Sequence, residues 1–246
     1  MRKRVALGLA LLLVAACSSG TPAAVPRRLV SAPSPTAAPL VYAAVGASET
    51  AGIGAQDPRS QAWPMVFYDT ALPPSAVMYS FGVPFETTEA ALNGEVPAAL
   101  AVDPALVTVW LNVDDLAAGV SAADYEARLG QLVHALRRGG ATRVLVANTP
   151  YLDHLPLYLK CRSGGAGCPF AGPVPAPDQL NAMVDAYNAA IARVVQREGA
   201  VLVDLHAAGE VPDEHPDWVS PDGFHPDAAG YVQIAARFAA ALSASG

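Results

Sequence analysis

The chain has 246 residues, of which 52% are hydrophobic and 15% charged, and its formal charge is −7. That balance suits a globular domain and opposes binding to phosphate backbones or anionic membrane surfaces, so no nucleic-acid partner is expected.

The first residues, MRKR followed by VALGLALLLV and AAC, pair a basic start with an apolar run too short to span a membrane. Residues 1–16 therefore read as an export signal, and Val14 to Cys17 resembles a bacterial lipobox in which Cys17 is lipidated. An ordinary signal peptide with an incidental cysteine is the alternative. Removing Arg2, Lys3 and Arg4 with the leader takes the formal charge from −7 to −10. Residues 17–38 are rich in Ser, Pro and Ala without an apolar period, as a tether is. On this reading the mature protein faces outside the cytoplasm, held to the cell membrane by its lipid. Residues 39–246 are long enough for one domain with one core.

Five apolar, β-branched runs follow: 40–46, 75–82, 105–111, 142–148 and 200–205. Near-continuous runs of this kind suit strands buried on both faces of a parallel sheet. The segment 121–139 has a helical stripe of Tyr125, Leu129, Leu132, Val133 and Leu136, a cap-like Ser121 with Asp124, and Gly139 as a stop. A second helix runs from near Asp178 to Gly199, and a third follows Pro226 as its first helical position. Weaker helical patterns cover 60–71 and 86–100. The alternation predicts a three-layer α/β/α domain around a flavodoxin-like, five-stranded parallel sheet.

Between Pro150 and Pro177 no period is visible. A loop this long is often a lid or binding wall, and it leaves the fourth strand at the carboxyl end, where open α/β sheets bind ligands. Its Tyr151, Leu152, Leu155, Leu157, Tyr158 and Leu159 suit an acyl chain or apolar alcohol. Cys161 and Cys168, in CRSGGAGC, are expected to form a disulfide in an exported compartment, worth roughly 2–3 kcal/mol. A two-cysteine metal site is the alternative, but CxxC spacing is absent.

The stretch VGASETAGIGA, residues 45–55, follows the first run directly. It lacks the lysine of a phosphate-binding loop, and Asp57 stands where a dinucleotide fingerprint needs its third glycine. Ser48 is instead a candidate nucleophile, which needs a base, an acid to orient that base, and oxyanion donors. Of five histidines, His134 lies on the polar side of a helix, and His154, His206 and His215 lie in loops, each structural or substrate-facing. His225 stands three residues after Asp222 in SPDGFHPDAAGY, where a tight turn lets the carboxylate hold one ring nitrogen.

Together these blocks resemble the SGNH/GDSL-type hydrolases over nearly the whole folded length. The family's G-D-S falls on Gly46-Ala47-Ser48, its block-two glycine on Gly82, its G-x-N-D on Asn112-Val113-Asp114-Asp115, and its D-x-x-H on Asp222 to His225. The resemblance implies that Ser48 attacks an ester carbonyl, His225 takes its proton and Asp222 orients His225. It implies an oxyanion hole made by the Ser48 and Gly82 amides and the side chain at Asp114. It brings no cofactor and no metal, and a monomer acting on a small-molecule, lipid or carbohydrate ester is expected.

Two departures stand out. Ala47 replaces the family aspartate, which should loosen the turn without removing chemistry. Asp114 replaces the donor asparagine, and losing one such donor costs about 3–4 kcal/mol. A protonated Asp114 or a reoriented Asn112 would restore it. The alternative function is a catalytically weakened relative that binds carbohydrate or lipid.

Overall fold

A computed structural model describes residues 38–168, 173–208 and 214–245, and residues 38 onward form one compact unit. The leader, most of the tether and Cys17 lie outside the described residues.

Five strands, β1 (Val41–Gly46), β2 (Val77–Ser80), β3 (Leu106–Trp110), β4 (Arg143–Ala147) and β5 (Val201–Val203), form a sheet in the order β2-β1-β3-β4-β5. Every pairing is parallel. The order reverses between β1 and β3, and at such a switch point the two exits diverge and leave a crevice.

The alternating faces of β1 explain the layers. Ala43 and Val45 point into a core shared with Tyr125, Leu129, Leu132 and Val184, whereas Tyr42 and Ala44 point into one with Trp63, Phe67 and Phe238. The first core is covered by α7 (Ala122–Arg137) and α9 (Pro177–Glu198), whose Tyr125 and Tyr187 rings stack at 4.3 Å. The second is covered by α3 (Trp63–Ala71) and the C-terminal helix α10 (Ala228–Ala244), where Trp63 and Phe238 stack at 4.1 Å. Apolar faces on both sides of a parallel sheet bury only when each meets such a layer.

Local chemistry sets the helix ends. Ser121 Oγ accepts the Asp124 N–H at 3.1 Å and donates to its carboxylate at 2.7 Å, the reciprocal cap expected. α9 starts with Pro177 and stops where Gly199 turns left-handed, at φ 65°. Three expectations shift. α7 ends a residue early because Arg138 itself turns left-handed, at φ 50°, ahead of Gly139. α10 begins after Asp227, whose carboxylate accepts the Ala229 and Gly230 N–H groups, while Pro226 pairs with Val219 in an isolated bridge. β2 is an edge strand with Val77 and Tyr79 exposed, so its apolar run does not mark two buried faces.

The weaker patterns resolve into short helices: α2 (Pro58–Gln61) before α3, then α4 (Thr88–Asn93) and α5 (Glu95–Ala101). Two more short helices, α1 (Ser48–Ala51) and α6 (Val113–Ala117), leave β1 and β3 at the crevice. The stretch after Pro150 is not wholly irregular, since α8 (Pro156–Arg162) starts on a proline. Cys161 and Cys168 are bonded at its far end, with Cα atoms 5.5 Å apart.

Candidate active site

Ser48 opens α1 two residues beyond the last paired residue of β1 and is 5% exposed. Gly46 is required beneath it, because a Cβ there would lie 2.1 Å from Thr50 Oγ1 and 2.8 Å from the Trp110 carbonyl. Ala47 brings no carboxyl to the turn, and a distant acid contacts the glycine before it. Glu95, 4% exposed at the start of α5, accepts the Gly46 N–H through Oε2 at 3.0 Å. The acid is supplied from 49 residues away, and no local pattern announces it. Burial, then the neighbouring Glu86, push the Glu95 carboxyl up to about 8. At neutral pH it is therefore an uncharged acceptor inside the fold.

The Asp222–His225 turn is built from its own carboxylate. Asp222 Oδ1 accepts the Phe224 and His225 N–H groups at 2.8 and 3.0 Å, and Oδ2 meets His225 Nδ1 at 2.7 Å. Burial pushes this carboxyl up, but the His225 ring and the two backbone donors outweigh it and hold it at about 2. An ionised carboxylate only accepts, so Nδ1 carries the proton and Nε2 is left as the basic nitrogen. Gly223, at φ 77°, allows the tight turn, and its carbonyl accepts the Leu157 N–H at 2.9 Å. The segment after Pro150 thus seats α8 against this turn.

Two contacts bring the turn to the loop that follows Ser48. A Cβ on Gly54 would lie 2.3 Å from the Pro226 carbonyl and 2.9 Å from His225 Cβ. The Tyr231 hydroxyl, on α10, donates to the Ile53 carbonyl. The other histidines have other partners: His134 pairs with Glu198, His206 stacks on Tyr151, and His215 stacks on Trp218. His154 lies 3.8 Å from the Asp153 carboxylate.

Gly82 follows β2 and packs on α1, where a Cβ would come within 2.6 Å of the Ala51 nitrogen. Phe81 and Val83 donate their N–H groups to the Ala44 and Gly46 carbonyls at 2.8 and 2.9 Å. That alternation turns the Gly82 N–H out of the β1 ladder. Asp114 and Asp115 lie in the first turn of α6. Asp115 is fully buried and accepts the Thr88 N–H and hydroxyl at 2.8 and 2.7 Å, tying α6 to α4. Asp114 is half-buried, and burial followed by the carboxyls of Glu49 and Asp115 raises it to about 7 against the opposing pull of His225. Burial likewise raises Glu49, with His225 opposing.

A cavity of about 330 Å³ opens beside these residues. Glu49, next to Ser48, and Phe224 and Pro226, on either side of His225, are among the residues that line it. Trp110, Leu205 and Trp218 line it further, with Tyr151, Leu152 and Leu155, three of the residues expected to face substrate, and with the polar Glu214, His215, Gln233 and Arg237. Leu159 is instead half exposed and Tyr158 is buried, because α8 turns only part of its apolar surface inward. Among the described residues, no three His, Cys, Asp or Glu side chains are grouped to hold a metal.

The GDSL-like lipase/acylhydrolase family model matches residues 44–233, a span that holds both the Ser48 turn and the Asp222–His225 turn. The chain belongs to this family. It is accordingly a hydrolase that acts on esters. Its fold is shared with a lipase/acylhydrolase from Enterococcus faecalis, at 18% identity and a TM-score of 0.62, covering 83% of this chain and 96% of that one. The esterase EstA from a Pseudoalteromonas species aligns at 15% identity and a TM-score of 0.60, over 83% and 97% of the two chains. An acetyl xylan esterase, AlAXEase, aligns at 13% identity and a TM-score of 0.61, over 82% and 100%. Among curated proteins, no sequence match to this chain is found.

Glu95 gives the site a measurable signature. Folded, its carboxyl stays protonated up to about 8; unfolded, it ionises near 4.5. Its contribution to stability is therefore complete below the unfolded value and is lost as pH rises through the folded one. Glu95→Gln, which keeps an acceptor for Gly46, should flatten the fall in Tm between pH 5 and pH 8. Glu95→Ala strands the Gly46 N–H and should cost about 1–3 kcal/mol in urea denaturation.

Proposed function

We propose that this ester hydrolase works through Ser48, His225 and Asp222 by way of an acyl-enzyme. The observation that carries the reading is the 2.7 Å contact between His225 Nδ1 and an Asp222 carboxylate already held by two backbone N–H groups. That contact fixes the tautomer in which Nε2 can accept the Ser48 proton. Ser48 Oγ then bonds to the ester carbonyl carbon, and the carbonyl oxygen takes up negative charge. His225 returns the proton to the departing alcohol. Water enters by the same route in reverse, which releases the acid and restores Ser48.

In this reading the oxyanion is met by the Ser48 and Gly82 N–H groups and by Asp114 in its protonated form. Among the residues that line the cavity, Trp110, Leu152, Leu155 and Leu205 would receive an acyl chain or an apolar alcohol, while Glu214, His215, Gln233 and Arg237 offer polar partners to the rest of the substrate. The protein is further proposed to be exported and tethered to the cell membrane through lipidated Cys17, acting as a monomer. A second reading, a weakened relative that binds carbohydrate or lipid, rests on the carboxyl at position 114.

p-Nitrophenyl acyl esters test the enzyme reading. The wild-type chain should hydrolyse them, with longer acyl chains favoured over acetyl. Ser48→Ala and His225→Ala should each lower kcat by at least a thousandfold. A serine-directed phosphonate should label Ser48, and failure of both turnover and labelling would leave only the binding reading.

Asp114 makes the rate depend on pH in a defined direction. Its donating form exists below about 7 and disappears above, so kcat should decline on the alkaline side. Asp114→Asn, with a permanent N–H₂, should remove that decline and raise kcat at pH 8 or above. A loss of rate at every pH would show that the carboxyl is needed in another role.

The anchor is tested by fractionation. Cys17→Ser should move the protein from the membrane fraction to the soluble exported fraction, with its turnover on soluble esters unchanged. Equal membrane retention of both forms would remove lipidation as the cause.

A further inference from the structure

We infer that the side-chain amide of Asn112 is an oxyanion donor, supplied two positions before the residue that holds this role in the family pattern. The inference rests on the hydrolase reading above. Asn112 is 2% exposed, and its Nδ2 finds no hydrogen-bond partner among the described residues. It occupies the N-cap position of α6 without making a side-chain cap. A buried N–H₂ with no acceptor is unfavourable, and native folds leave few of them without a use.

The placement of this amide indicates the use. β1 and β3 pair through Gly46 opposite Trp110, and the Ala47 N–H still reaches the Trp110 carbonyl at 3.4 Å. Ser48 and Asn112 each stand two residues beyond that last pair, so both chains leave the sheet side by side at the switch point. Trp110 and Val113, close to Asn112 on either side in sequence, line the same cavity as Glu49, which follows Ser48. The Asn112 carbonyl is occupied by the Leu116 N–H at 3.0 Å, which fixes its backbone at the start of α6. An amide held there in a water-poor setting is preorganised for charge that develops only during reaction.

Asn112 and Asp114 differ in what pH does to them. An amide donates at every pH, whereas Asp114 donates only while protonated. The side chain at 112 therefore supports turnover where Asp114 cannot.

The test uses the full chain, p-nitrophenyl butyrate, and the variants Asn112→Ala and Asn112→Asp. Asn112→Ala should lower kcat by about 100- to 1000-fold, with KM changed less than threefold and with a loss at pH 8 at least as large as at pH 6. Its Tm should be equal to or above that of the wild type, because no hydrogen bond is lost. Asn112→Asp, of nearly the same volume, should lose kcat as pH rises from 6 to 8, since a carboxyl there donates only while protonated. A kcat within threefold of wild type in both variants overturns the assignment while leaving the triad intact. A fall in kcat that follows a fall in Tm also overturns it, as a packing role. If the wild type neither turns over esters nor takes a phosphonate on Ser48, the hydrolase reading fails and this assignment with it.

Discussion

The end of β1 is the constraint on which the site depends. At Gly46 the strand must pass under Thr50 and beside the Trp110 carbonyl, with 2.1 and 2.8 Å available to any added carbon. Only a residue without a side chain lets α1 fold back this closely. The same crowding buries the Gly46 N–H away from water, and a buried donor must be satisfied. Glu95 does so, and its own burial keeps it protonated near neutral pH. The strand end, the glycine and a neutral acid from α5 are thus one arrangement. Ala47 carries no polar group, but the turn has its acid from elsewhere.

Sheet order turns this local arrangement into a crevice. β1 and β3 are neighbours, yet their exits lead into different layers, so α1 and α6 diverge from adjacent strand ends. The Asp222–His225 turn reaches the gap because Tyr231 ties α10 to the Ile53 carbonyl and because Gly54 has no side chain to hold the turn away. α8 closes from the opposite side by donating the Leu157 N–H to Gly223. Each contact joins segments far apart in sequence and close in space.

What the sequence disclosed follows from the range of each interaction. The Asp222–His225 pair is legible because both partners sit on one turn, and the Cys161–Cys168 bond because the loop between them is short. The sheet is legible because burial on two faces leaves a near-continuous apolar run. The same signal misleads at β2, which is equally apolar but lies at an edge, since composition does not tell a strand how many neighbours it has. Pro226 looks like a helix start, yet Asp227 satisfies two N–H groups as the cap, and the helix begins two residues later. Glu95 is invisible for a plain reason: its partner Gly46 is 49 residues away, and nothing near either one marks the pair.

The net acidity of the chain does not carry over into the site. Asp222, Glu49 and Asp114 all act electrostatically on or with His225, and as three carboxylates they would hold the imidazole in its charged form. Their surroundings separate them. Asp222 receives the ring and two backbone donors and ionises at about 2. Asp114 is raised to about 7 by burial and by its acidic neighbours, and Glu49 is moved in the same direction by burial. Below about 7 Asp114 is protonated, whereas Asp222 stays ionised on the side of Nδ1. An imidazolium formed on that ring would be stabilised from the side that also orients it. A protonated Asp114 adds no charge to repel a carbonyl oxygen that gains one. Hydrogen bonding at one carboxyl and desolvation at two others thus allow a carboxyl-rich pocket to suit chemistry that builds an anion.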